Sequence, residues 1–233
     1  EDLSKRNNDR FQYILPNFTF TKKLELDKNY NGSFQFESSG FQKNYDTNKY
    51  ESLLINDFLF KSNNYINKNG LKVNYDFLVK NFNSYTENST SYKSKEDYEV
   101  FGAFLIKTSL PLKKIDDDGN DYLKPIASFR YSPNNTKNIS DKDLRLSYDN
   151  IFALNRIETN EIVEGGKSLS LGFEYENRNK INEKLFSLSL ANSISDRKNT
   201  NLPSKTKLNE KRTDLVGKFS FSPNKVLNFD YSF

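Results

Sequence analysis

The stretch "LKPIASFRYSPN", residues 123–134, decides how this chain is read. Ile126, Ser128 and Arg130 alternate with Ala127, Phe129 and Tyr131, which is the period of a β-strand with one polar and one apolar face. Proline has no N–H for a sheet ladder and is confined to strand starts, edges and bulges. Pro125 is therefore expected where the strand leaves a short turn, before its full ladder forms, and Pro133 where it departs for a long loop. The Ala-Phe-Tyr face must then meet an apolar surrounding, and that surrounding is the question.

The composition narrows it. A chain of 233 residues suits one large all-β domain or two ordinary ones. It holds 20 Phe and 14 Tyr, yet its mean hydropathy is −0.83. So many aromatics exclude disorder. Trp, Met, Cys and His are absent, which removes disulfides, thiolate chemistry and the usual metal ligands. A chain that starts at Glu1 and has no methionine is expected to be a segment of a longer product. Its 35 basic and 31 acidic residues are scattered rather than clustered, so no nucleic-acid footprint is present. No apolar run is long enough for a transmembrane helix, a test that transmembrane strands escape.

Alternation like that of 123–134 recurs along the chain. In "LKVNYDFLV", Leu71, Val73, Tyr75, Phe77 and Val79 share one face, and in "SLSLGFEYE" so do Leu169, Leu171, Phe173 and Tyr175. The pattern predicts ten strands near 10–24, 30–40, 50–63, 70–84, 98–112, 122–133, 166–177, 184–195, 212–222 and 225–233. Their connections alternate between short (25–29, 64–69, 113–121, 178–183, 223–224) and long (41–49, 85–97, 134–165, 196–211). In an antiparallel meander alternate connections lie at opposite ends, so all the long ones share one end, as in an outer-membrane β-barrel. The segment 143–158 could itself be a strand. Counting it would break this parity, so it is kept inside the excursion 134–165, where it could hold local structure.

A soluble β-sandwich also alternates. Two features favour the membrane reading: strands of ten or more residues, beyond the usual soluble length, and aromatics near strand ends, such as Tyr13, Phe20, Tyr50, Phe60, Tyr131, Tyr175 and Phe233, which suit interfacial girdles. The polar faces would then line a water-filled lumen, with Lys80, Lys107, Arg130, Glu174 and Lys218 as lumen-facing candidates. An ordinary solvated sheet face gives the same pattern, so that alternative stays open.

Catalysis finds little support. Without His or Cys the common nucleophilic triads are impossible. "DDDGND" (116–121) fails as a calcium loop, because Lys114 and Pro125 occupy the first and last ligand positions; a hairpin turn fits it better. Glu158 and Glu161 could act as a carboxylate pair only if a cleft set them at glycosidase spacing. The chain is expected not to be an enzyme, and to carry no cofactor and no metal.

Three segments in order, "LPLKK" (110–114), "LKPIASFRYSPN" (123–134) and "LSYDNIFALNRIETNEIVEGGKSLSLGFEYENRN" (146–179), resemble the barrel domain of the LPS-assembly outer-membrane proteins, the LptD family. The matching positions are Leu110 and Pro111, Leu123 and Pro125, Pro133, Asp149, Ile151 and Phe152, Asn155 and Arg156, and Gly172. "YILPNFTF" (13–20) and "YDTNKYESLLINDFLFKS" (45–62) resemble the family's first barrel strands. Two features depart from the family: its Gly-x-Asp-Arg stretch is reduced to "NRIETNEI", and the cysteines that tie barrel to periplasmic domain are missing.

The resemblance implies a single partial β-barrel domain over 1–233, an antiparallel up-and-down meander forming part of a large outer-membrane β-barrel. It also implies the last step of lipopolysaccharide export: the barrel opens laterally between its first and last strands, sugars cross the lumen, and acyl chains enter the outer leaflet. The partners implied are lipopolysaccharide, an LptE-like lipoprotein plug, periplasmic LPS-bridge proteins and outer-membrane lipid, at the bacterial cell outer membrane. Ten strands would make a curved sheet with two open edges, completed by strands and a periplasmic jelly-roll domain encoded in the flanks. Two other readings stay open: another outer-membrane porin or uptake channel, and a soluble β-rich adhesin or binding module.

Overall fold

A computed structural model of the chain describes residues 11–26, 31–45, 48–89, 92–117, 119–157, 159, 161–224 and 226–233. Among them the fold is all-β, with no helix. The strands are β1 (Phe11–Glu25), β2 (Gly32–Tyr45), β3 (Tyr50–Ser62), β4 (Tyr65–Ile66), β5 (Lys72–Glu87), β6 (Lys95–Ser109), β7 (Leu112–Asp116), β8 (Gly119–Ser132), β9 (Gly166–Asn179), β10 (Lys184–Ser195), β11 (Val216–Phe221) and β12 (Phe229–Ser232). They form one antiparallel up-and-down sheet in the order β1-β2-β3-β5-β6-β8-β9-β10-β11-β12, with β4 on β5 and β7 on β8.

All ten expected strands are present. β4 and β7 are additions, short arms that lengthen hairpins at two of the short connections. "DDDGND" is the tip of the β7–β8 hairpin, closing at Asp116 and Gly119. Gly119 is required there because a Cβ would lie 2.1 Å from the Arg178 carbonyl oxygen. The connections expected near 41–49 and 85–97 contract to 46–49 and 88–94, since β2 and β5 run further than their apolar residues suggested. Those at 133–165 and 196–215 remain long. The described part of the segment 143–158, residues 143–157, contributes no strand: it is irregular, with a turn over 148–152 followed by bends. The turn near 25–29 lies largely outside the described residues, as does Glu158.

The chain divides into two compact units, 1–61 with 77–102, and 62–76 with 103–233. In the first, β1 pairs β2 from Phe11↔Tyr45 to Glu25↔Ser33. One face of β3 and β5 buries Glu51, Leu53, Ile55, Leu78, Lys80, Phe82, Ser84 and Thr86, while Leu54, Phe58, Phe77 and Tyr85 are exposed on the other.

In the second unit the register fixes which residues share a face. Lys124↔Glu174, Ile126↔Gly172, Ser128↔Ser170 and Arg130↔Ser168 lie on one side, and Leu123↔Tyr175, Pro125↔Phe173, Ala127↔Leu171 and Phe129↔Leu169 on the other. The second side continues through Leu188↔Phe219 and Phe219↔Tyr231. It is the exposed side: Phe129, Tyr131, Leu169, Leu171, Phe221, Phe229 and Tyr231 are all at least 40% accessible, while Ser128, Arg130, Ser168 and Ser170 are buried. A water-soluble sheet does the reverse, putting its apolar face in the core.

The register also corrects the expectation for Pro125. Its ladder with β9 runs unbroken from Gly119 to Ser132, so Pro125 sits mid-strand. On the opposite side, β7 pairs β8 up to Leu123 and β6 resumes at Ile126. The Pro125 carbonyl accepts from Leu110 N at 3.1 Å, and an antiparallel residue directs its N and O to the same neighbour. Its missing N–H therefore falls at the break between β6 and β7, next to Pro111, where no ladder bond is lost. Pro133 follows the last residue of β8, as expected.

Candidate functional site

The polar face of the second unit is covered near its long-connection end by the excursion 133–165 together with 196–215. Ile139, Leu146, Ile151, Phe152, Ile157 and Ile162 from the first segment and Leu202 and Leu208 from the second form a buried cluster, to which the sheet adds Ile126, Ala191 and Val216. Each fully buried aliphatic or aromatic side chain here contributes about 1.5–3 kcal/mol. Eight of these eleven residues belong to the cover, which thus has an apolar core largely of its own.

Polar groups fasten it to the sheet. Arg156, fully buried, donates from Nε to Glu164 Oε2 at 2.9 Å, from Nη2 to Glu164 Oε1, and from Nη1 to Ser193 Oγ of β10 at 2.6 Å. Arg130 of β8 reaches the other way, donating from Nε to the Leu154 carbonyl at 2.7 Å and from Nη2 to the Glu164 carbonyl. Ser170 Oγ lies 3.1 Å from Ile151 O. Burial alone would raise the Glu164 pKa, but the Arg156 and Arg130 charges and the Arg156 hydrogen bonds outweigh it and hold the carboxyl below its ordinary range.

Close approach needs small floor residues. A Cβ on Gly172 would meet Leu190 O at 2.4 Å and the Phe152 ring at 2.9 Å. Phe152 and Gly172, singled out from the sequence, therefore meet, while Arg156 bonds to Ser193 on the neighbouring strand. Asn155 stays within the excursion, its Nδ2 donating to Thr159 O at 3.0 Å.

Toward the short-turn end the same face is open. A groove of about 620 Å³ runs there, lined by Tyr122, Lys124, Glu174, Ser189, Lys218 and Asp230 among others. Pro111 lies at its edge. Lys124 pairs with Glu174 at 2.9 Å, and Lys218 with Asp149 of the excursion at 2.6 Å. Tyr148 donates to Glu174 Oε1 at 3.2 Å; burial first, then the Glu174 carboxylate, pushes its phenol upward in pKa.

Four of the five charged candidates therefore share this face: Glu174 and Lys218 in the groove, Lys107 half-buried with its Nζ 5.4 Å from the Phe152 ring, and Arg130 beneath the cover, where backbone carbonyls rather than bulk water solvate it. Lys80 belongs to the first unit, where it is buried and paired with Asp57 at 2.6 Å. Sequence reading missed Glu164, Ser193, Ser170 and Tyr148. The available signal was the density of apolar residues in 139–163, too high for a solvated loop.

No helix long and apolar enough to cross a membrane occurs among the described residues, which says nothing of crossing by strands. Long antiparallel strands with an apolar outward face and a charged, grooved opposite face define a β-barrel protein of the outer-membrane type. The family LptD, described as LPS transport system D, matches residues 1–233. The chain belongs to that family, and its role lies in lipopolysaccharide transport at the outer membrane, with lipopolysaccharide as the transported substrate. No curated protein matches the chain.

Proposed function

We propose that residues 1–233 form one partial barrel domain, at the bacterial outer membrane, of the device that inserts lipopolysaccharide into the outer leaflet at the last step of its export. The observation that carries this reading is the open groove with its paired charges, on the sheet face opposite the apolar belt. A phosphorylated glycan finds hydroxyls, ammonium groups and carboxylates there, while acyl chains find the belt. Lys80, Lys107, Arg130, Glu174 and Lys218 are then the lumen-facing charges. The barrel works without catalysis, with an LptE-like lipoprotein inside it and periplasmic bridge proteins feeding it.

A photo-crosslinking side chain at Ser189, on the groove face, tests this in cells. It should form adducts through the saccharide part of lipopolysaccharide during export, whereas the same group at Leu171, exposed on the belt, should capture only acyl chains. The reading fails if Ser189 gives none, or if depleting the protein leaves surface lipopolysaccharide unchanged. Single-channel conductance with small-solute selectivity would instead mark a porin.

A further inference from the structure

At the long-connection end of the second unit's apolar face, two cations emerge among the aromatics. Lys167 stands opposite Tyr131 in the β8–β9 register, and its Nζ is 5.7 Å from the Tyr131 ring centroid. Arg212 bridges to Ile194, which pairs with Leu169, itself opposite Phe129. Phe129, Leu169, Ile194 and Arg212 thus form one cross-strand row on the outward side, with Tyr131 and Lys167 in the next row toward the rim. Both cations are exposed.

Neither is neutralised by a carboxylate among the described residues. In the loops of the same end, Lys198 pairs with Glu210, Lys205 with Asp143 and Lys207 with Asp214. Lys167 and Arg212 have no ion pair among the described residues. Arg212 donates from Nε to the neutral Asn192 Oδ1 at 3.3 Å, and the nearby Asp196 carboxylate faces the Lys167 backbone N–H at 3.4 Å. The guanidinium and ammonium remain available to an anion. From a strand spacing of about 4.8 Å and a rise of about 3.4 Å per residue, their Cα atoms lie roughly 12 Å apart, across two strands and one two-residue step.

We infer that this rim is a docking site for a phosphorylated glycolipid of the surrounding outer leaflet, with Lys167 and Arg212 each taking a phosphate and the Phe129, Leu169, Leu171 and Ile194 surface taking the acyl chains. The charge selects an anionic head and the apolar row beneath selects a lipid; free phosphate satisfies only the first, a neutral lipid only the second. The site lies outside the lumen, so its occupant is a resident neighbour rather than cargo in passage. The inference rests on the proposed function in one respect, the placing of the long connections at the outer leaflet.

The test uses the full-length protein purified in detergent with the partners that copurify. It is incubated with a bis-phosphorylated glucosamine-disaccharide lipid, with the dephosphorylated form, or with inorganic phosphate, and retention is read by native mass spectrometry. Lys167→Ala and Arg212→Ala should each weaken retention of the phosphorylated lipid about fivefold and together about thirtyfold. Lys167→Arg with Arg212→Lys should retain it as the parent does, and inorganic phosphate should not be retained. Undiminished retention by the double alanine variant, or equal retention of the dephosphorylated lipid, overturns the inference. Surface lipopolysaccharide on depletion of the protein tests the transport reading separately, so failure at the rim leaves that reading standing.

Discussion

Replacing Glu164 by Gln removes one charge and keeps the side chain's shape, which isolates the buried pair that holds the cover. Arg156 and Glu164 expose only 1% and 4% of their side chains, so the guanidinium left behind has no water to turn to. Removing one partner of a buried pair costs about 3–5 kcal/mol. Two charge-assisted hydrogen bonds at about 1.5–3 kcal/mol each give about 3–6 kcal/mol, an overlapping range. The Arg130 contacts are spared, because they go to main-chain carbonyls. The loss should therefore appear as local opening of the cover, with the β8–β10 ladder intact. Hydrogen exchange on the purified protein reads this directly: amides in 150–165 should exchange faster by about two to three and a half orders of magnitude, while those of 168–175 change little. An Arg156→Met, Glu164→Leu double variant should be closer to the parent than either single change. If Glu164→Gln leaves 150–165 protected within about threefold, the pair does not hold the cover and the reasoning fails.

Two further expectations probe the same unit. Leu188→Arg, on the outward face opposite Phe219, should destabilise the folded protein in lipid by up to about 2–4 kcal/mol, whereas Ser189→Arg, one residue on and facing the groove, should cost far less; equal losses in a denaturant titration from vesicles would reverse the face assignment. The Glu164 carboxyl is held below its ordinary range, so its stabilising contribution is complete above the ordinary glutamate pKa and is lost as pH falls through the lowered one. Protection of 150–165 should thus be flat from pH 8 to 5 and decline only in stronger acid; a decline beginning near neutrality would contradict the assignment.

What the sequence displayed was local. The alternation of Ser168, Ser170 and Gly172 with Leu169, Leu171 and Phe173 repeats every two residues, so the strands and their faces could be read without knowing any neighbour. Lengths were less secure: in β2 the tail "FQKNY" carries Lys43 and Asn44 on a paired strand, and polar strand residues look like loop. The two hairpin arms were hidden for a similar reason, since "NYINKN" and "LPLKK" hold turn residues. Arg130 shows the limit most clearly. Its parity was legible, but its solvation depends on Leu154 and Glu164, more than twenty residues away along an aperiodic segment. No period records such a contact. The pairing of Arg156 with Glu164 across eight residues of loop is equally silent, although the family motif had flagged the arginine for other reasons.

The serine-rich floor under the cover carries one more implication. Ser128, Ser132, Ser168, Ser170 and Ser193 are all buried there, and eight of the eleven residues in the buried apolar cluster above them belong to the cover itself. The boundary between the two layers is therefore rich in hydroxyls and crossed by a few guanidinium bonds, with Ile126, Ala191 and Val216 as its apolar contacts on the sheet side. If the cover slides or lifts, the floor it uncovers wets readily, and the displaced segments keep most of their own packing. A greasy floor would have welded the layers together, whereas this one lets them part as two separately cohesive pieces.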